Sequence, residues 1–182
     1  MSLIDPTLRL RSPQAEDAAQ RWALGNAPEI MRMFGVDPVQ IPPLTPEQAQ
    51  AWVDRLAIHP HAWIVEHEGR FLGEVRLDEV NAQRPQCRLA IGFYDPGKLG
   101  KGLGREAVRL ALAHAFGTLG LRRVTLRVVA YNERAIRCYR ARGFVEIDRE
   151  RNAVQVDGQS HDDVIMAIDA AVFGVVRPAS PP

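Results

Sequence analysis

Leu99-Gly100-Lys101-Gly102-Leu103-Gly104-Arg105 decides how the rest of the chain is read. It stands between a strand-like run, Gln86 to Tyr94, and a helical one, Gly102 to Thr118. In the helical run apolar side chains recur at helix spacing, through Leu103, Ala107, Ala111, Leu112, Ala115 and Phe116 to Leu119. Three glycines in five residues let the backbone approach a ligand closely. Their N–H groups gather at a helix N-terminus, where the macrodipole favours an anion, and a pyrophosphate suits such a site. Alone, the loop decides little, because a flexible connection would carry the same residues. It is not a P-loop, since no Gly-Lys-Ser/Thr ends it. A dinucleotide fold is excluded because no acidic residue ends a neighbouring strand.

Upstream, Ala62 to His67 and Arg70 to Asp78 read as strands joined by a tight turn at Glu68-Gly69. Thr45-Pro46-Glu47-Gln48 is a capping box that opens a helix to about Ile58. Gly35 to Pro46 holds four prolines and reads as a loop. Thr7 to Arg11 alternates as a first strand. Ser12-Pro13 then supplies a helix N-cap and first helical residue, with the helix running to about Ala23. Downstream, Val124 to Val129 is a strand, and Glu133 to Arg142 a short helix stopped by Gly143. Phe144 to about Val156 and Asp163 to Ile168 form two further strands, with Asp157-Gly158 as the turn. The proline-rich end, 177–182, is expected to be disordered. Strands alternating with helices in this order predict one α/β domain, residues 1–176, with helices on both faces of a mixed sheet.

Composition excludes several functions. The 182 residues carry 23 basic and 22 acidic side chains, so no global field favours nucleic acid or anionic lipid. No apolar run approaches the roughly 20 residues that span a bilayer. Pro6 and Asp5 interrupt the N-terminus where a signal peptide would be apolar. Two cysteines, Cys87 and Cys138, make no disulfide framework, and the expected setting is reducing and cytoplasmic. His59, His61 and His67 cluster without metal-ligand context, so no metal is expected.

A second motif follows the loop by about thirty residues: Asn132-Glu133-Arg134-Ala135-Ile136-Arg137-Cys138-Tyr139, then Gly143-Phe144. Asn132 can cap the helix it precedes, and Tyr139 lies two turns on, on the same side. Together, Gly-x-Gly at a helix start, Asn-x-x-Ala and Tyr-x-x-x-Gly-Phe resemble the GNAT superfamily of acetyltransferases. The resemblance runs from Phe71 to Ile168, and the N-terminal third shares only its strand–helix–helix order. Ile91-Gly92-Phe93 and Gly100-Lys101-Gly102 look most like the ribosomal-protein N-terminal, spermidine/spermine and aminoglycoside 6'-N-acetyltransferase branches.

The resemblance implies a mixed, mostly antiparallel sheet of about seven strands with a central splay, and acetyl-CoA as acyl donor. Gly92, Phe93 and Tyr94 would end the splayed strand that admits the pantetheine arm. The loop from Leu99 through Gly100, Lys101, Gly102, Leu103 and Gly104 to Arg105 would hold the pyrophosphate. Asn132 and Ala135 would meet the pantetheine, and Tyr139 would sit near the sulfur as general acid. Leu99 departs from the Gln or Arg usual at the loop's start. Ala90 departs more seriously, standing where many N-terminal acetyltransferases carry a glutamate base. Glu74 is the first replacement, followed by Asp78, Glu79 and Asp37.

Direct transfer onto a primary amine is the expected reaction, with an oxyanion donor near Phe93 and no covalent step at Cys138. A protein N-terminus ranks first as acceptor, because its low pKa leaves more free amine at neutral pH. A small cationic amine, polyamine or aminoglycoside, ranks second, and a non-catalytic acyl-CoA-binding module third. Homodimerisation is left open.

Overall fold

The computed structural model describes residues 7–175. The expected disordered end, 177–182, lies outside them. Strand β1 is Leu8–Arg11, and helices α1, Asp17–Leu24, α2, Pro28–Met33, and α3, Pro46–Ala57, follow. Three strands come next: β2, Ala62–His67, β3, Arg70–Asn81, and β4, Gln86–Phe93. Helix α4, Leu103–Ala113, ends in a wider π turn, His114–Thr118. Strand β5 is Arg123–Val129, helix α5 Glu133–Arg140, and strands β6, Val145–Val156, and β7, Gln159–Asp169, precede a last helix α6, Ala170–Val175.

The seven strands form one sheet in the order β1-β2-β3-β4-β5-β7-β6, antiparallel everywhere except between β4 and β5. That parallel step follows from chemistry the sequence displays, since a helix must cross between two parallel strands, and α4 does so. Its apolar stripe, Ala107, Val108, Ala111 and Leu112, has no exposed surface and packs on Val75, Leu77 and Val124 of the sheet. Burying side chains such as Val108 and Leu112 contributes about 1.5–3 kcal/mol each. The opposite face carries a smaller core, in which Ile30 and Met31 of α2 and Leu56 of α3 meet Ile64, Phe71 and Tyr94.

The capping box forms as expected, with Gln48 N–H donating to Thr45 Oγ1 and Thr45 N–H to Gln48 Oε1. Both expected turns form with positive φ at their two central residues, Glu68-Gly69 and Asp157-Gly158, which matches the twist of the strands they join. The first helix starts later than Ser12-Pro13 predicts. Asp17 is fully buried, accepts from the Gln14 N–H and is gripped by the guanidinium of Arg11, so residues 12–16 turn before the helix begins. Helix α2 was not expected; Pro28 at its first turn is the signal for it.

Candidate active site

Strands β4 and β5 pair only at Gln86–Arg123, Cys87–Val124 and Arg88–Thr125. Beyond Arg88 the two strands separate, and a cleft of about 840 Å³ opens between them. This is the central splay. On its other side β4 is held hard against β3, where a Cβ on Gly73 would stand 1.8 Å from the Gly92 carbonyl oxygen. Tyr94 N–H donates to Leu72 O in β3, so strand alternation aims the N–H groups of Ile91 and Phe93 the other way, into the splay. Among the described residues nothing pairs with the Phe93 N–H, the expected oxyanion donor, which faces the cleft.

The glycine loop closes one end of the cleft. Gly100 and Gly102 have φ of +76° and +83°, a backbone that glycine adopts without strain. Gly102 is the N-cap of α4 and offers no side-chain acceptor. Among the described residues, nothing accepts a hydrogen bond from the N–H groups of residues 100–104. Five free donors at a helix N-terminus fit an anion of pyrophosphate size. Leu99, Gly100, Gly102, Gly104 and Arg105 line the cleft. The exposed Lys101 does not line it, and the Leu103 side chain is buried in the main core, so Leu103 can serve only through its backbone. Lys98, Arg134 and Arg137 add positive charge to the walls.

Helix α5 forms the adjoining wall with Asn132, Ala135, Cys138 and Tyr139. Asn132 caps the helix, its Oδ1 accepting from Ala135 N–H at 3.1 Å, while its Nδ2 donates to Met33 O at 3.0 Å. Tyr139 is 8% exposed, packs edge-on to Phe144, and its hydroxyl bonds to no described residue. Burial pushes its pKa up, which keeps it a proton donor at neutral pH. Burial also lifts the Cys138 thiol to about 11 and that of Cys87 to about 12. Neither is a thiolate near neutral pH, and neither is a nucleophile there.

The side chains of Glu74, Arg76, Asp78, Arg88 and Ala90 share the sheet face that carries α1 to α3. Glu74 pairs across the ladder with Gly92, and Ala90 with Arg76. Glu74 thus lies diagonally from Ala90 on the same face, close to where the missing glutamate would reach. It is 7% exposed, accepts from the Tyr94 hydroxyl at 3.0 Å and lies 3.3 Å from Arg76. Burial, partly offset by Arg76, holds its pKa above the ordinary value. Tyr94 turns its ring to this side, under Phe34 and Trp52, with the Arg21 guanidinium 3.9 Å from the ring centre. Asp78 also lines the cleft, Glu79 pairs with Arg88 at its rim, and Asp37 caps the short turn at Pro38–Gln40 instead.

Sequence reasoning missed the wall opposite Glu74. Helix α2 and the turn after it contribute Ile30, Met33 and Phe34, the Phe34 ring lying over Gly92. Asp163, beside Val129 in β7, brings a third lining carboxylate to that face. The cleft therefore runs through the sheet. Free amides and the cations Lys98, Arg105, Arg134 and Arg137 line one side, and every carboxylate among its described lining residues stands on the other.

Residues 7–145 match the family described as Acetyltransferase (GNAT) domain. Spermidine N(1)-acetyltransferase of Escherichia coli strain K12 is 28% identical over 166 residues, covering 89% of this chain and 86% of the relative. Probable N-acetyltransferase YjcK of Bacillus subtilis is 31% identical over 101 residues, 56% of each chain. The crystal structure of a Vibrio cholerae spermidine N-acetyltransferase, in complex with CoA and spermine, superposes with a TM-score of 0.78 at 23% identity, over 92% of this chain and 98% of that one. Among the described residues no helix is long and apolar enough to cross a membrane. With a through-sheet cleft, an amide-lined loop and a family match over most of its length, the chain belongs to the GNAT acetyltransferases and moves acetyl from acetyl-CoA to an amine.

Proposed function

We propose that the acceptor is a small cationic amine of the polyamine kind, entering from the α1–α3 face, with Glu74 as base and Tyr139 as acid. The observation that carries this is the charge of the acceptor mouth. Arg76, Arg88 and Arg127 are each already engaged, by Glu74 and Asp78, by Asp78 and Glu79, and by Asp163 and Glu150. The three lining carboxylates balance the three lining guanidiniums, and Glu79 and Glu150 at the rim occupy two of those guanidiniums further, so no described lining guanidinium on this face is left free to repel a cation. The sequence alone ranks a cationic amine second to a protein N-terminus, because the loop Gly35 to Pro46 and its neighbours provide only Asp37 and Glu47 for an acidic pocket. The sheet supplies others. The spermidine acetyltransferases among its relatives support the same reading.

The thioester supplies the acetyl group. Phe93 N–H, unpaired in the splay, donates to the carbonyl oxygen as negative charge develops there. The amine nitrogen forms the new bond to carbon as the carbon–sulfur bond breaks. Glu74 takes the proton that nitrogen loses, directly or through one water, and Tyr139 gives a proton to sulfur. Solvent then returns the proton from Glu74 to Tyr139, so atoms and charge balance. No covalent enzyme intermediate is needed.

The test is steady-state acetylation, read by mass spectrometry, of spermidine, kanamycin, a peptide with a free N-terminus and a peptide whose only amine is a lysine. Spermidine should exceed both peptides in kcat/KM by at least about tenfold, the worth of one well-placed charge contact. A preference for the free N-terminus would overturn the acceptor assignment and restore the first sequence reading.

A further inference from the structure

The acceptor wall is a short helix held from behind. Helix α2 has six residues, and its N-cap, Ala27, offers no side-chain hydrogen bond. A helix that short has little stability of its own. Its last carbonyls have spare acceptor capacity: Arg32 O accepts from the Gly35 N–H at 2.8 Å in the turn that follows, and two further, side-chain donors come from neighbouring residues at the β5–α5 junction. The Tyr131 hydroxyl donates to the Arg32 carbonyl, and Asn132 Nδ2 donates to the Met33 carbonyl. The Tyr131 ring is itself fixed edge-on against His161 of β7, with centroids 4.6 Å apart. Just beyond, Gly35 passes so close to β5 that an added Cβ would stand 2.7 Å from Val129 Cγ2. The turn between these contacts carries Phe34, whose ring lies on Gly92 next to Glu74.

We infer that Tyr131 is a specificity-determining positioning residue: by holding the Arg32 carbonyl it sets where Met33 and Phe34 stand against the acceptor. Tyr131 touches neither the loop amides nor Glu74, and it is absent from the cleft lining. Its hydroxyl reaches the acceptor wall through the Arg32 carbonyl of α2. Asn132, one residue on, performs the same service for Met33 while capping the cofactor-side helix. The β5–α5 junction thus sets the spacing between the two substrates' walls. The inference rests on the acceptor reading above in placing the amine against α2.

Tyr131→Phe removes one oxygen and leaves the ring contact with His161. Spermidine KM should rise up to about tenfold, the upper worth of one part-buried hydrogen bond, while kcat falls less than threefold. Calorimetric affinity for CoA should stay within twofold. Amide hydrogen exchange in residues 29–36 should quicken at least about tenfold, with α4 unchanged. An unchanged spermidine KM, or KM and CoA affinity worsening by the same factor, overturns the inference. If the unmodified enzyme does not acetylate spermidine, the acceptor reading fails instead. The exchange measurement still decides this one, since unchanged protection of 29–36 in Tyr131→Phe would mean that Tyr131 does not hold the wall.

Discussion

Replacing Glu74 by glutamine keeps the side chain's length and an oxygen to accept from Tyr94, and removes the group proposed to take the acceptor's proton. An amine with a pKa near 10.4 is free base to less than about one part in a thousand at pH 7. With Glu74 ionised, the enzyme can bind the abundant ammonium form and deprotonate it in place, so kcat/KM should level off above the Glu74 pKa. That pKa lies above the ordinary 4.5, because burial disfavours the charged form. Without the carboxylate only free amine is productive, and the logarithm of kcat/KM should climb one unit per pH unit up to the acceptor's own pKa. The loss at pH 7 should be about 10²- to 10⁴-fold and should shrink steadily towards pH 10. Stability moves the other way. A carboxyl with a raised folded pKa binds its proton more tightly in the fold than in the unfolded chain. Its ionisation therefore destabilises the protein as pH climbs from about 4.5 through the folded value, by about 1.36 kcal/mol for each unit of separation. Glu74→Gln should thus be more stable than the parent at pH 7, and the gain should vanish near pH 4. The assay pairs pH–rate profiles with urea unfolding at both pH values. A loss of activity below threefold at pH 7, or one that does not change with pH, would refute the base assignment. A gain over the parent that is no larger at pH 7 than at pH 4 would refute the buried-charge argument.

Tyr139→Phe should lower kcat by about 10²- to 10⁴-fold while calorimetric CoA affinity stays within twofold, and wild-type turnover with chemistry rate-limiting would make Tyr139 structural. Gly104→Val should fold, since an added Cβ meets only Cys138 Sγ at 3.7 Å, yet it should lose CoA affinity at least about tenfold by crowding the free amides; unchanged affinity would sink the pyrophosphate assignment. Cys138→Ala should retain most activity, because its thiol near pH 11 is not a nucleophile, and an acetylated Cys138 peptide in a quenched digest would overturn direct transfer.

The elements that sequence reading reached are those with local causes. Thr45 and Gln48 make their capping box within four residues, and Asp157-Gly158 sets its turn within two. The free amides of residues 100–104 likewise follow from glycines adjacent in sequence. What escaped was decided across long separations. The start of α1 is moved by Arg11 gripping a buried Asp17, which outweighs the local signal of Ser12-Pro13. Helix α2 is secured by Tyr131 and Asn132, 99 residues away, and nothing in its own six residues advertises a binding wall. Tyr94 could be placed at the splayed strand's end, but strand alternation and the Arg21 stack send its hydroxyl to Glu74. Glu74 could be named only as one carboxylate among four, because its relation to Ala90 depends on the β3–β4 register.

A cleft that passes through a sheet has two entrances, and this bears on traffic. On the routes proposed above, a donor anchored at the amide loop and an acceptor arriving past α2 do not share a doorway, so neither obstructs the other's arrival or departure. Addition should follow no compulsory order, and initial-velocity lines for the two substrates should intersect rather than run parallel. The spent carrier can also remain seated while a fresh amine enters, forming a dead-end complex. High acceptor concentrations should then slow turnover by trapping CoA in place.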